Sequence, residues 1–153
     1  MEHLQQEAIT LLGLSLKTKT TNENGQSGTD CGNLWQQFEN ETYATKIPNK
    51  LSDEIIAVYH EYEGDHTQPF SYFIGCKVAP GTAIPEGMDR LTIPRGKYRQ
   101  IISKGTMPYC VMDSWKEIWD SNHARTYQTD FEVYDERSKD WSDATVTIFV
   151  SVQ

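Results

Sequence analysis

Asp130-Phe131-Glu132-Val133-Tyr134-Asp135 is the stretch that decides how this chain folds. Strand side chains alternate between faces, so Phe131 and Val133 share one face and Glu132 and Tyr134 the other. The same pattern stands 75 positions earlier, where Ile56-Ala57-Val58-Tyr59 lies over Phe131-Glu132-Val133-Tyr134. Ile56, Val58, Phe131 and Val133 suit a packed face under a helix. Ala57, Tyr59, Glu132 and Tyr134 then look onto the other face. A glutamate in mid-strand is the residue that does not fit a core. On the residues alone it is either solvent-facing on a half-exposed sheet or buried. If buried, its charge costs several kcal/mol unless something pairs with it.

Working outward, the repeat extends to whole elements. A shift of 75 lays Phe70-Ser71-Tyr72-Phe73-Ile74 over Thr145-Val146-Thr147-Ile148-Phe149. A shift of 80 lays Trp35 over Trp115 and Phe38 over Ile118. Each half reads strand, helix, strand, strand. The first has strands at 9–17, 54–63 and 70–78, with a helix over 32–43 that Asp30 caps. The second has strands at 96–104, 130–135 and 144–152, with a helix over 106–121 carrying Val111, Trp115 and Ile118 on one face. A Pro/Gly connector, Ala79 to Asp89, separates halves of about 1–78 and 90–153. This order predicts an α+β fold: duplicated β-α-β-β units about a pseudo-two-fold axis, a mostly antiparallel sheet, two helices and a ligand groove between the halves.

The composition narrows the chemistry. The chain has 153 residues, which fits one domain spanning 1–153, and a net charge of -8. An acidic chain repels phosphate backbones, so direct nucleic-acid binding is not expected, and the same field favours cationic ligands. Cys31, Cys76 and Cys110 are widely spaced and odd in number, which gives neither a disulfide framework nor a zinc site. Glu61, Glu63 and Asp65 lack the EF-hand pattern, and His60, His66 and His123 have no partner at ligand spacing. No metal and no cofactor is expected. The N-terminal MEHLQQEAIT lacks a basic segment and a long apolar run, so no signal peptide, no membrane partner and a cytoplasmic location are expected.

The candidate site therefore centres on Glu132, with the strand tyrosines Tyr59, Tyr72, Tyr98 and Tyr134 as an aromatic wall. Trp115 joins it, with Trp119 as an interchangeable alternative four residues on. A cationic ligand would supply the partner that a buried Glu132 lacks, and each aromatic face would add roughly 0.5–2 kcal/mol of cation–π attraction.

The chain also resembles the GyrI-like effector-binding domains, the ligand-sensing modules of some AraC-type and MerR-type bacterial regulators. The carrying residues include Leu34-Trp35-Gln36-Gln37-Phe38, Lys46-Ile47-Pro48-Asn49 and Ile56-Ala57-Val58-Tyr59. They continue with Ile93-Pro94-Arg95-Gly96-Lys97-Tyr98, the Trp115-to-Trp119 helix and Asp130-to-Asp135. The resemblance implies a central cleft that binds hydrophobic, cationic, aromatic compounds, and a cleft glutamate that matches Glu132. Standalone relatives occur among integron cassette proteins. The chain carries no helix-turn-helix, so any transcriptional role is expected to need a partner regulator protein. Two other functions stay open. One is a hydrolase of electrophilic natural products, with Glu132 handling water and Tyr98 or Tyr134 orienting the substrate. The other is an acidic inhibitor that binds a DNA-handling enzyme. The sequence leaves the oligomeric state open.

Overall fold

The computed structural model describes residues 3–121 and 123–153. It contains one eight-stranded sheet in which every ladder is antiparallel. In chain order the strands are β1 (His3–Gln6), β2 (Ile9–Ser15), β3 (Ile55–His60) and β4 (Ser71–Lys77), then β5 (Asp89–Ile93), β6 (Gly96–Gly105), β7 (Thr129–Tyr134) and β8 (Ala144–Ser151). The helices are α1 (Gln26–Asn40), the single turn α2 (Tyr43–Lys46) and α3 (Tyr109–Asp120).

The strands lie in the order β1-β6-β8-β7-β3-β4-β2-β5, so β7 and β3 meet at the centre. Their register pairs Ala57 with Glu132, Ile56 with Val133 and Val58 with Phe131. Ala57 and Glu132 are also the residues that the 75-position repeat makes equivalent, so the pseudo-two-fold axis passes between them. The duplication expected from the sequence is real, with one exchange. β1 pairs with β6 and β5 pairs with β2, so the leading strand of each half edges the sheet of the other. β1 lies in a stretch to which the sequence reading assigned no element, because four polar-rich residues carry little periodic signal.

The alternation of faces holds, but the helices lie on the opposite face from the one expected. Ile56, Val58, Phe131 and Val133 join Phe73, Tyr98 and Phe149 in a cluster with no helical member. The sheet curls, and side chains from all eight strands fill this concave face themselves. Both helices cover the other face. Leu34 and Phe38 of α1 pack on Ala57, Tyr72 and Ile74, while Val111, Trp115 and Ile118 of α3 pack on Val146, Ile148 and Val150. The two clusters share Tyr59 and Tyr134 at their boundary. The hydrophobic pattern alone does not say which apolar face takes the helices, because a curled sheet supplies its own cover.

The β4–β8 equivalence also shifts by one residue. Val58 pairs with Phe73, whereas Val133 pairs with Thr147. Tyr72, Ile74 and Cys76 therefore correspond to Val146, Ile148 and Val150, at 74 positions. A one-residue slip reverses every side chain of a strand, and only the 74-position register keeps both strands' apolar rows under the helices.

α1 starts earlier than expected, after Gly25 at φ 71°, and Asp30 is not its cap. Asp30 instead accepts hydrogen bonds from Thr20 (2.7 Å) and Gln26 (2.9 Å), tying the preceding loop to the helix. Where β2 and β4 cross, Gly13 faces Gly75, and a Cβ on either would run into the carbonyl oxygen of Ile74 or Leu12 respectively. No helix among the described residues is long and apolar enough to cross a membrane.

Candidate functional site

Glu132 lies on the helix-covered face of β7 and is only 1% exposed. Its cross-strand neighbour Ala57 is small, which leaves room above the sheet for the carboxylate. Three donors converge on it. The Tyr134 hydroxyl donates to Oε1 at 2.6 Å from two residues along the same strand. The Tyr59 hydroxyl donates to Oε2 at 2.9 Å from β3, and the Trp115 indole N–H donates to Oε2 at 2.6 Å from α3. All three donors are neutral, and no lysine or arginine forms an ion pair with Glu132 among the described residues.

Burial pushes the Glu132 carboxyl above the ordinary range, and the bonds from Tyr134, Trp115 and Tyr59 draw it part of the way back. Burial and then the Glu132 charge hold the phenols of Tyr59, Tyr72 and Tyr134 well above their usual value, so they remain protonated donors. The same two causes raise the Cys31 thiol, which stays neutral.

A cavity of about 870 Å³ opens above Glu132, with walls drawn from both α1 and the start of α3. Glu132, Tyr59, Tyr72 and Tyr134 reach its surface. The aromatic rings interlock: Tyr59 meets Tyr72 and Trp115 edge-on, each at 5.0 Å between centroids, and Trp35 meets Tyr134 edge-on at 4.9 Å. Carboxylates dominate the charged lining. Glu39, Asp53, Glu54, Asp135 and Glu136 join Glu132, against the single cation Lys139. Asp135 is itself held by Arg137 at 2.9 Å. A low-dielectric cavity edged by one sign of charge concentrates the opposite sign.

Five of the six residues read from sequence come together here. Trp115 is one of them, although it backs Glu132 from behind instead of lining the open cavity. Trp119 does not substitute for it: its ring stacks on His66 at 5.2 Å. Tyr98 is the exception. It packs edge-on against Phe131 at 5.3 Å on the concave face and donates to the Pro94 carbonyl, so the sheet separates it from Glu132. Its parity along β6 was not fixed by the repeat, which is why the sequence misplaced it.

The sequence reading missed Trp35 and Trp141. Trp35 lines the cavity and donates its indole N–H to the Tyr72 hydroxyl at 2.7 Å. Its repeat-mate Trp115 donates its own indole N–H to Glu132, so the pairing of the two tryptophans in the repeat was a signal for Trp35. Trp141 lies in the β7–β8 connection and is 60% exposed, a position that no periodicity marks.

A second buried carboxylate adjoins the site. Asp130 is fully buried, pairs with Arg125 at 2.6 Å and accepts from the Tyr62 hydroxyl (2.7 Å) and the Ser151 backbone N–H (2.8 Å). The Arg125 guanidinium also lies over the Tyr127 and Trp115 rings, at 4.3 and 5.7 Å. Asp130 thus has the counter-charge that Glu132 lacks. Among the described residues, no group of three or more His, Cys, Asp or Glu is placed to hold a metal ion.

A duplicated, curled antiparallel sheet with two helices flanking an axial cavity defines a GyrI-like effector-binding fold. The chain belongs to the Cass2 family of integron-associated effector binding proteins, whose model matches residues 4–152. It is 28% identical over 124 residues to YobU, a candidate transcriptional regulator of Bacillus subtilis (strain 168), a match covering 78% of each chain. The integron cassette protein VCH_CASS2 from Vibrio cholerae has the same fold, with a TM-score of 0.76 at 26% identity over 99% of this chain and 95% of that one. SAV2435, whose structure was determined bound to tetraphenylphosphonium, superposes with a TM-score of 0.80 at 19% identity over 99% of this chain and 93% of its own.

Proposed function

We propose that the axial cavity binds a hydrophobic, cationic, aromatic small molecule and that the Glu132 carboxylate anchors its charge. One observation carries the reading: Glu132 is buried beside an open cavity, satisfied by three neutral donors and without a counter-ion. A buried carboxylate in that state gains most from a cation that brings no hydration shell of its own, because the desolvation has already been met in folding. The rings of Tyr59, Tyr72, Tyr134 and Trp35 offer faces and edges to the ligand's apolar body. The acidic lining adds attraction over a longer range. The tetraphenylphosphonium complex of SAV2435, a protein of the same fold, agrees with this chemistry. In this reading the ligand is an effector. A sensing role in transcription extends it and is supported by the likeness to YobU; in that role a partner regulator protein would read the loaded domain.

The test is calorimetric titration of wild type and Glu132→Gln with tetraphenylphosphonium and with neutral triphenylphosphine oxide. A carboxylate–cation pair at 4 Å is worth about 4 kcal/mol at an effective dielectric constant of ~20, less what the substitution relieves. The expected result is a loss of tenfold or more in affinity for the cation in Glu132→Gln, with the neutral compound changing little. Equal affinity of both proteins for the cation would remove Glu132 from the role of anchor.

A further inference from the structure

The chain carries five arginines, and four of them end on oxygen. Arg95 pairs with Glu7, Arg125 with Asp130 and Arg137 with Asp135, while Arg90 donates to the Thr82 carbonyl. Arg99 differs. Its Nη1 donates to Nδ1 of His123 at 2.9 Å and its Nη2 donates to Nε2 of His3 at 2.6 Å. Its Nε is buried with no acceptor among the described residues. A guanidinium has no lone pair to offer, so both imidazoles accept from it and are neutral. No carboxylate forms an ion pair with Arg99, His3 or His123 among the described residues. In a chain of net charge -8, a cationic cluster without its opposite calls for a reason.

Three elements build the cluster. His3 opens β1 and stands in register with Arg99 of β6, and His123 lies between α3 and β7. Alternation puts Arg99 on the face opposite Tyr98, in the row of Ile101 and Ser103 that α3 covers. His123 is buried, whereas His3 is exposed on an edge strand. Desolvation and then the Arg99 charge hold both imidazoles below their ordinary value. Lys97 and the chain's amino terminus add to this at His3, and Arg125 adds to it at His123. The cluster lacks an acceptor that carries charge. The guanidinium edge presents parallel N–H groups, which is the geometry an oxyanion accepts.

We propose that Arg99, His3 and His123 form a binding site for a small tetrahedral dianion of the phosphate and sulfate class, seated against the Arg99 guanidinium. The exposed His3 ring swings aside to admit the anion, and the buried His123 ring stays as the wall. On binding, His3 Nε2 and His123 Nδ1 each take up a proton from water and turn from acceptor to donor. The dianion then faces a guanidinium and two imidazolium groups. Long polyanions are excluded, because the net negative charge of the chain repels them while a single small anion meets only the local field. Arg99, His3 and His123 take no part in lining the Glu132 cavity, so this site is independent of the cation-binding role.

The probe is sulfate, whose charge is constant over the pH range used, so any pH dependence belongs to the protein. Nitrogen-15 resonances of the arginine and histidine side chains are followed as sulfate replaces chloride at constant ionic strength. The titration is repeated across a pH series descending through 6.5, the ordinary histidine value, and calorimetry in buffers of different ionisation enthalpy counts the protons taken up. The expected result is saturable shifts at Arg99, His3 and His123, with affinity rising as pH falls, by about tenfold per pH unit for each proton taken up. His3→Gln, an exposed substitution that leaves the core untouched, is expected to take up one proton fewer, and Arg99→Gln to lose saturable binding. Lack of saturation at every pH, an affinity that ignores pH, or an unchanged proton count in His3→Gln would each overturn the proposal. So would saturation that leaves the Arg99 resonance unmoved, a result that needs no variant to fold.

Discussion

Replacing Trp115 by phenylalanine separates a binding-site tryptophan from a core one. The substitution keeps an aromatic ring under α3 and removes the N–H that donates to Glu132 Oε2 at 2.6 Å. A hydrogen bond to a charged group contributes about 1.5–3 kcal/mol, and one to a neutral group about half that. The cost of Trp115→Phe should therefore depend on whether Glu132 is ionised. Burial raises the Glu132 carboxyl above its ordinary value of 4.5, so the folded protein holds this proton to higher pH than the unfolded chain does. Glu132 thus favours folding most fully below that ordinary value, and the stability falls as pH rises through the raised one. The Trp115 bond opposes this loss by stabilising the carboxylate. Removing it lifts the carboxyl further and deepens the fall. Urea unfolding of wild type and Trp115→Phe across a pH series from 4.5 upward should give a difference that grows with pH, by roughly 1–2 kcal/mol. In a Glu132→Gln background the pH dependence of that difference should vanish, because nothing there ionises. A difference that is the same at every pH, or whose pH dependence survives in Glu132→Gln, would mean that Trp115 acts through packing alone.

Three further outcomes follow from the same geometry. Affinity for tetraphenylphosphonium should rise in wild type as pH climbs above 4.5 and the Glu132 carboxyl ionises, since only the carboxylate offers a charge, and stay flat in Glu132→Gln; calorimetry across a pH series reads this directly. Tyr98→Phe should leave cation affinity within about twofold, because the sheet stands between Tyr98 and the cavity, while the lost bond to the Pro94 carbonyl costs about 0.5–1.5 kcal/mol in urea unfolding. Arg125→Ala should destabilise the fold by about 3–5 kcal/mol by leaving Asp130 buried without its cation, and Asp130→Asn in the same chain should recover part of that loss.

Much of the architecture was legible because duplication writes the same pattern twice. Ile56 to Tyr59 over Phe131 to Tyr134 marked two equivalent strands, which the fold pairs at its centre, and their alternation placed Glu132, Tyr59 and Tyr134 on one face. That pattern is binary, so it states which residues travel together and not what covers them. The helices lie on the Glu132 face because the curled sheet buries Phe131, Val133 and their partners without help. Registers beyond the centre depend on loop lengths, and the β7–β8 connection is one residue shorter than the repeat implied. That single residue decides whether Val146 and Ile148 or Thr147 and Phe149 face α3. Trp141 could not be read at all, because it belongs to a connection where no period operates.

The axis explains why the site is asymmetric within a symmetric fold. Ala57 and Glu132 are equivalent by repetition and directly paired across the axis, so an exact repeat would place two glutamates face to face. Their Cβ atoms would lie about 5 Å apart, and buried like charges at that distance cannot both ionise. One carboxylate and one small residue is the arrangement that keeps a full negative charge available. The neighbours remain symmetric: Tyr59 and Tyr134, equivalent by the same repeat, both turn inward and donate to the two oxygens of the single acid. Each half thus contributes one phenol to a group that only one half supplies. The tryptophans divide in the same way, Trp115 going to Glu132 and Trp35 to Tyr72. The Ala57–Glu132 pair breaks the symmetry at the axis itself, where the two halves can serve one charge together.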